Sequence, residues 1–240
     1  VSTDGGRRWT ALKRPSRSSI RRLDFATARR GVVLDGAGRL WRTADGGRHW
    51  AELLATGTAL VREVAFGDAS RGFAALDRFG SDRSGYVLRT SDGGASFTPQ
   101  LVSKQAIGAG QLASGGASGG VALDAGGRLF GTVTGGSLPQ ASTLTLKAGS
   151  RSLTRSQLRR ARGRVTVTGR LSAAQGGETI LVSARRVSGG TWRQAAARVT
   201  SAGTFTATFS VSASTAFVAQ WRGDDARNGD GTPALVVRVR

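Results

Sequence analysis

The stretch Thr43-Ala44-Asp45-Gly46-Gly47-Arg48-His49-Trp50 decides the fold, because it recurs along the chain. It contains a hydroxyl residue, a variable residue, Asp-Gly-Gly, two variable residues and a large aromatic residue. The same pattern occupies residues 2–9 and 90–97, and a shorter copy lies at 132–136. The three full copies begin 41 and 47 residues apart. A period of this length indicates an internal structural repeat.

The repeat is wider than these eight residues. Ile20–Phe25 aligns without gaps on Val61–Phe66, 41 positions later, and residues 31–43 align on 120–132, 89 positions later. An Asp-Gly pair between β-rich runs is a strong hairpin signal, because glycine accepts a positive φ. Four short strands in about 40–45 residues is the size of a propeller blade. The second unit is longer, and we place its extra residues in a loop at Phe79–Ser84.

Strands of the first unit are predicted at Ile20–Phe25, Gly31–Leu34, Arg39–Thr43 and Trp50–Leu54. Beyond Gly136 the repeat ends, and residues 137–142 have the composition of a linker. Seven alternating strands separated by glycine-rich turns are predicted after it, which is typical of an antiparallel sandwich. They are Thr143–Lys147, Arg164–Leu171, Thr179–Arg186, Trp192–Val199, Thr204–Val211, Thr215–Trp221 and Ala234–Val239. Residues 155–162 are predicted to hold one helical turn at most.

The repeated octamer resembles the Asp-box, or BNR repeat, Ser/Thr-x-Asp-x-Gly-x-x-Trp/Phe. The matching residues are Ser2, Asp4, Gly6 and Trp9, then Thr43, Asp45, Gly47 and Trp50, and finally Thr90, Asp92, Gly94 and Phe97. The longer consensus is similar to the photosystem II assembly-factor-like group of BNR propellers and, more distantly, to sialidases and sortilin. The resemblance implies a β-propeller over residues 1–136.

Residues 143–240 resemble a bacterial Ig-like or fibronectin-like module of exported proteins, especially at Phe217–Asp225. We therefore predict an all-β chain, with a partial β-propeller of about three four-stranded blades followed by an Ig-like β-sandwich. Its predicted divisions are a propeller fragment at 1–136, a linker at 137–142 and a sandwich at 143–240.

The box aspartates have a structural interpretation. Their carboxylates accept backbone N–H groups in the turn, while the aromatic residue covers it. In the families resembled, these turns lie away from the substrate face. A sialidase needs an arginine cluster, a Tyr–Glu pair and an acidic Asp, but Tyr86 is the single tyrosine here. Asp35, Asp77 and Asp124 recur at equivalent turns, which favours a scaffold role. We predict no catalytic residue.

Composition excludes several classes of site. The chain of 240 residues has no Cys and one His, so thiolate chemistry and histidine-clustered metal sites are excluded. His49 is interpreted as a surface side chain on its turn. The acidic stretch from Asp224 to Gly231 offers oxygens for calcium, but Arg227 interrupts it and the EF-hand spacing is absent, which favours a polar turn. We predict no metal and no cofactor.

The charge is strongly positive, with 35 Lys+Arg against 15 Asp+Glu and a net charge of +20. Such an excess suits an anionic partner, although basic residues spread over polar positions also suit an ordinary solvated surface. Among anionic partners we favour a cell-envelope polymer over nucleic acid, because no arginine–aromatic platform for single strands is seen. No run of about 18 apolar residues is present, so no membrane span is predicted.

Two classes of function remain from the sequence. The first is a non-enzymatic, exported binding or assembly scaffold, extracellular or at the cell surface, that engages protein or glycan. The second is the C-terminal part of a secreted glycoside hydrolase, sialidase-like or other, whose catalytic blades precede Val1. Binding of nucleic acid is a weaker third. Because three blades do not close a ring and the chain lacks Met, we expect further blades and a secretion signal upstream.

Overall fold

The computed structural model describes residues 1–2, 4–57, 61–76, 85–103, 107, 112–115, 119–132, 142–224 and 227–240. The described chain is all-β with one short α-helix. Four features predicted from the sequence lie outside the described residues: Asp77, the loop at Phe79–Ser84, all but the first residue of the short repeat copy at 132–136, and the linker up to residue 141.

The first part of the chain forms three consecutive antiparallel sheets, which we call blades 1, 2 and 3. In each sheet, strands that are adjacent in sequence are hydrogen-bonded neighbours. Blade 1 contains β1 (Ile20–Phe25), β2 (Gly31–Asp35), β3 (Leu40–Thr43) and β4 (Ala51–Glu52); blade 2 contains β5 (Val61–Phe66), β6 (Gly72–Leu76), β7 (Gly85–Thr90) and β8 (Thr98–Ser103); the described part of blade 3 contains β9 (Leu112–Gly115), β10 (Gly119–Leu123) and β11 (Leu129–Thr132). These sheets form a partial propeller.

The fourth strand of blade 1 is shorter than predicted. The prediction of a strand through Leu54 is wrong, because β4 ends at Glu52 and a 3-10 turn occupies Leu54–Thr56. Leu53 is buried and packs on Gly94 of the next blade. The chain leaves the sheet at this point because Leu53 turns into the space between blades.

Apolar side chains stack the blades face to face. One buried cluster joins Val32, Leu34 and Leu40 of blade 1 to Val61 and Val64 of blade 2, among others. A second cluster joins blades 2 and 3. Burial of these aliphatic groups contributes about 25 cal/mol per Å² of apolar surface removed from water.

The second part of the chain forms two sheets around one apolar core. The three-stranded sheet has the order β12-β14-β17, and the larger sheet has the order β13-β20-β18-β15-β16, with β19 paired to β18. These strands are β12 (Leu144–Ala148), β13 (Ser152–Leu153), β14 (Arg164–Leu171), β15 (Thr179–Arg186), β16 (Arg193–Arg198), β17 (Thr204–Ser210), β18 (Thr215–Gly223), β19 (Asn228–Gly231) and β20 (Leu235–Val239).

The single helix α1 spans Arg155–Arg160 and is slightly longer than the one turn predicted. A capping box fixes its start, because the Thr154 hydroxyl accepts from the Gln157 amide while the Gln157 side chain accepts from the Thr154 amide. Leu158 anchors the helix in the core. No helix among the described residues has the length and apolar character needed to cross a bilayer.

The acidic stretch near the C terminus contains a strand. The prediction of a polar turn from Asp224 to Gly231 is wrong for Asn228–Gly231, which forms β19 and pairs with the end of β18. The carbonyl oxygens of Phe97 and Pro99 in blade 2 lie directly against Gly231 and Gly229 of β19. The two parts of the chain are therefore in close backbone contact along β8.

Candidate functional site

The turn that holds Asp45 is closed by side-chain to backbone hydrogen bonds. The Thr43 hydroxyl donates to Asp45 Oδ1 at 2.9 Å and accepts the Gly47 amide at 2.9 Å. Asp45 Oδ1 in turn accepts the amides of Arg48 and His49, each at 3.0 Å. The same arrangement of hydroxyl, carboxylate and amides recurs in the other two turns, at Ser2, Asp4, Gly6 and Arg8, and at Thr90, Asp92, Gly94 and Ser96.

These contacts hold the carboxylates in the ionised form. The hydrogen bonds from the His49 amide and side chain lower the pKa of Asp45 well below its ordinary value. For Asp92, burial raises the pKa, but hydrogen bonds from Ser96 and Thr90 outweigh it and leave the pKa lowered. A general acid needs a pKa shifted upward, toward the working pH. The turns are therefore suited to bracing the backbone.

The aromatic residue of each turn covers it to a different degree. Phe97 is fully buried between blades 1 and 2. The indole N–H of Trp50 donates to the carbonyl of Lys13 at 3.0 Å, and its ring meets Phe25 edge to face at 6.3 Å. Trp9, in the turn at residues 2–9, is 76% exposed. Burial of the aromatic position thus differs between the three turns, from complete at Phe97 to slight at Trp9.

A second repeated turn, at Asp35 in blade 1 and Asp124 in blade 3, lies at the end of the blades opposite the Asp-box turns. Asp35 is fully buried and accepts the amides of Ala37 and Arg39, the Arg39 guanidinium and the indole N–H of Trp41. The Arg39 guanidinium also stacks over Trp41 at 5.3 Å. In blade 3, Asp124 likewise accepts a backbone amide and the guanidinium of Arg128, and that guanidinium lies over Phe130 at 5.7 Å, although Phe130 has no N–H to donate. The sequence signal was the spacing Asp-x-x-x-Arg-x-aromatic.

Each of the other carboxylates in the described part of the chain also has a partner. Asp24 accepts the amide of Phe66 in the next blade at 2.7 Å, and Asp68 accepts two amides of its own loop. Glu63 pairs with Arg22. The remaining contacts are Glu52 with Arg185, Glu178 and Asp224 with Arg227, and Asp230 with the amides of Leu144 and Gly231. Glycoside hydrolysis needs two carboxylates that face one bond, whereas these hold backbone or arginine.

A polar groove of about 250 Å³ lies between blades 1 and 2 at the end that carries the Asp45 and Asp92 turns. Asp24 and Arg42 line it, but both bridge the blades: Asp24 accepts from Phe66, and Arg42 donates to the Gly93 carbonyl at 3.1 Å. Tyr86, the single tyrosine, is buried between the same blades. These groups stabilise the junction of the blades.

His49 and the acidic stretch from Asp224 to Gly231 each contact charged side chains of the chain. His49 is largely exposed, with Nδ1 2.6 Å from Asp45 Oδ2. The Arg227 guanidinium lies between the carboxylates of Asp224 and Glu178 and stacks on Trp221 at 4.8 Å. Within this stretch, Arg227 thus pairs with Asp224, while Asp230 accepts the amides of Leu144 and Gly231. No group of three or more potential metal ligands occurs in the ranges that the structure describes.

An arginine-lined groove occupies one end of the C-terminal part. Arg162, Arg186 and Arg193 line a cavity of about 610 Å³, together with the hydroxyls of Thr191 and Ser212. Arg186 donates to Ser212 at 2.7 Å, which fixes its guanidinium. A second cavity of about 900 Å³ shares part of this lining and adds Arg155 and Arg159. Neither cavity has an acidic or aromatic residue in its described lining. We call both cavities together the arginine groove.

Comparisons with known proteins gave similarities of structure. No family model matches the chain, and no curated protein matches it. YCF48 bound to a D1 peptide is 14% identical, with a TM-score of 0.42 over 94% of this chain and 70% of that one. YCF48 from Cyanidioschyzon merolae is also 14% identical, with a TM-score of 0.42 over 76% of this chain and 58% of that one. An ancestral GH74 enzyme is 15% identical, with a TM-score of 0.39 over 85% of this chain and 29% of its own length. The bound D1 peptide and the enzyme class are properties of those proteins and are not assigned to this chain.

Proposed function

We propose that this chain is a non-enzymatic, exported binding scaffold that holds an acidic glycan in the arginine groove. The partial propeller provides the rigid platform. Residues 143–240 act as an Ig-like module that carries the groove. The observation behind this proposal is the contrast between the two kinds of charge: the described carboxylates are engaged in turns and ion pairs, while Arg162, Arg186 and Arg193 face an acid-free cavity.

The chemistry of the arginine groove favours carboxylates on sugars. A guanidinium offers parallel N–H donors that match a carboxylate, and the serine and threonine hydroxyls suit the sugar hydroxyls. Single-stranded nucleic acid prefers aromatic side chains on which its bases stack, and the groove offers none in its described lining. The C-terminal part carries 16 basic and 4 acidic residues, so its field attracts a polyanion.

The test measures binding of polygalacturonate to the whole chain and to the variant R162A/R186A/R193A. The variant should bind about tenfold more weakly or worse, because it lacks the guanidinium donors. The matched control is K147A/R170A/R198A, which removes three exposed positive charges from other surfaces of the same domain. Equal losses in both variants would show a diffuse charge effect and would contradict a defined groove.

Two further measurements separate the alternatives. Single-stranded DNA of matched charge should bind more weakly than polygalacturonate at the same salt concentration, and stronger binding of DNA would assign the groove to nucleic acid. The chain should release no sugar from an aryl sialoside or from other aryl glycosides. Hydrolysis by this chain that is lost in a carboxylate variant with unchanged fold would favour the hydrolase instead.

A further inference from the structure

The arginine groove has two unlike halves. The cavity of about 610 Å³, which three arginines and several hydroxyl groups line, is its basic half. The cavity of about 900 Å³ is its apolar half, because valines and Leu158 form much of its lining. Both linings include Gly163, Val211 and Ser212, so the two halves are continuous. One extended ligand can therefore occupy both halves.

Val187 gives the apolar half an exposed surface. It directly follows β15 and is 43% exposed, and no other large apolar side chain among the described residues from 142 onward is as exposed. Its amide donates to the Ser214 carbonyl at 2.9 Å, which fixes its position in the lining of the cavity. Single exposed valines are ordinary on protein surfaces, but this one lines a cavity beside arginines. An alkyl group that covers Val187 gains free energy, because apolar surface leaves water.

Hydrogen-bond donors surround this apolar surface. Arg155 and Arg159, which lie four residues apart on α1, line the same half, and a guanidinium donates but does not accept. The Ser214 hydroxyl accepts the Val239 amide at 3.0 Å, which leaves its own hydrogen for a ligand. No carboxylate occurs in the described lining of either half. The apolar half therefore suits a group that accepts hydrogen bonds and ends in alkyl carbon.

We propose that the acidic glycan in the arginine groove carries O-acyl esters, and that the apolar half binds them. This inference rests on the proposed function and defines its ligand more closely. An ester carbonyl accepts from Arg155, Arg159 or the Ser214 hydroxyl, while its alkyl end covers Val187. The carboxylates of the same polymer pair with the arginines of the basic half. A carboxylate in the apolar half would leave Val187 in water, and a plain alkyl chain would use none of the donors.

Isothermal titration calorimetry of the whole chain tests this specificity with two probes. One is polygalacturonate, and the other is the same polymer after partial O-acetylation, matched in length and carboxylate content. The wild-type chain should bind the acetylated polymer about fourfold more tightly, because burial of one methyl group gives an affinity ratio of about that size. Val187→Ser should bind the two polymers equally. Because Val187 is exposed, the circular dichroism of this variant should be unchanged.

The matched control is Leu23→Ser, which alters an exposed apolar residue of blade 1 and should keep the fourfold preference. Equal wild-type affinities for the two polymers, both weakened in R162A/R186A/R193A, would overturn this inference and leave the proposed function intact. A preference that persists in Val187→Ser would place the acyl groups outside the apolar half and would overturn the inference as well. Binding of neither polymer would refute the proposed function itself, and this inference with it.

Discussion

Arg185 Nη2 lies 2.6 Å from Glu52 Oε2, although 133 residues separate them in the sequence. Glu52 ends the outer strand of blade 1, and Arg185 lies in a central strand of the C-terminal part. Its guanidinium is almost fully buried and stacks over Trp192 at 5.2 Å. Arg185 Nε has no hydrogen-bond partner in the described structure. Glu52 is therefore the main compensation for a buried charge at the contact between the two parts.

Removal of Glu52 should be strongly destabilising. In Glu52→Ala, Arg185 keeps its charge but loses its carboxylate partner, which typically costs about 3–5 kcal/mol. Urea unfolding followed by circular dichroism measures the change. The matched control is Arg71→Ala, which breaks the exposed pair with Asp68 and should cost less than about 1 kcal/mol. Similar small losses in both variants would show that the contact between the two parts does not bury Arg185 in solution.

The double variant Glu52→Leu with Arg185→Met separates the charge from the contact. Because both partners become apolar and similar in volume, the double variant should recover most of the loss. If it is as unstable as Glu52→Ala, the ion pair itself stabilises the contact. This comparison is read from the same urea midpoints, after confirmation that the slope of the unfolding free energy with urea is unchanged.

Local features of this fold were predictable from sequence, whereas long-range contacts were not. The bounds of β1 and β14 follow from alternating residues and turn glycines, which act within a few positions. Burial of Arg185 was not predictable, because its partner Glu52 is distant in sequence and nothing around either residue marks a pair. The strand β19 was missed for the same reason: its polar, glycine-rich residues indicate a turn until β8 lies against them.

Gly231 should tolerate no side chain. A Cβ at this position would overlap the carbonyl group of Phe97 in blade 2, and backbone cannot move aside as a flexible side chain can. Gly231→Ala should therefore separate β19 from β8 and lower stability by roughly 1–3 kcal/mol. Hydrogen exchange should show faster exchange of the amides in β8 and β19. Gly149→Ala, with no atom near the added methyl, should leave stability and exchange unchanged; an equal effect would rule out overlap as the cause.

The contribution of a box carboxylate should depend on the blade around it. Asp92→Ala removes the acceptor for the Ser96 amide and the Thr90 hydroxyl, in a turn that packs against Leu53. A loss of about 1–2 kcal/mol is expected. Asp4→Ala removes the same contacts from an exposed turn. Its loss of stability should therefore be much smaller. Thermal unfolding midpoints of the two variants test this order, and the reverse order would contradict it.

The protein should be more stable when the carboxyl group of Asp230 is protonated than when it is ionised. Burial raises the pKa of its carboxyl group above the ordinary value, despite hydrogen bonds from the amides of Leu144 and Gly231. The stabilising contribution of the protonated group is present below the ordinary pKa and is lost as the pH rises through the raised one. The stability of Asp230→Asn relative to wild type should therefore be more favourable near pH 7 than near pH 3, because only the wild-type carboxyl group has to ionise; the asparagine side chain can replace one of the two acceptor oxygens. Asp92→Asn, whose carboxyl has a lowered pKa, should reduce stability near pH 7, and its difference from wild type should fade as acid protonates the native carboxyl. Parallel pH profiles for the two variants would show that the fold does not distinguish these carboxylates.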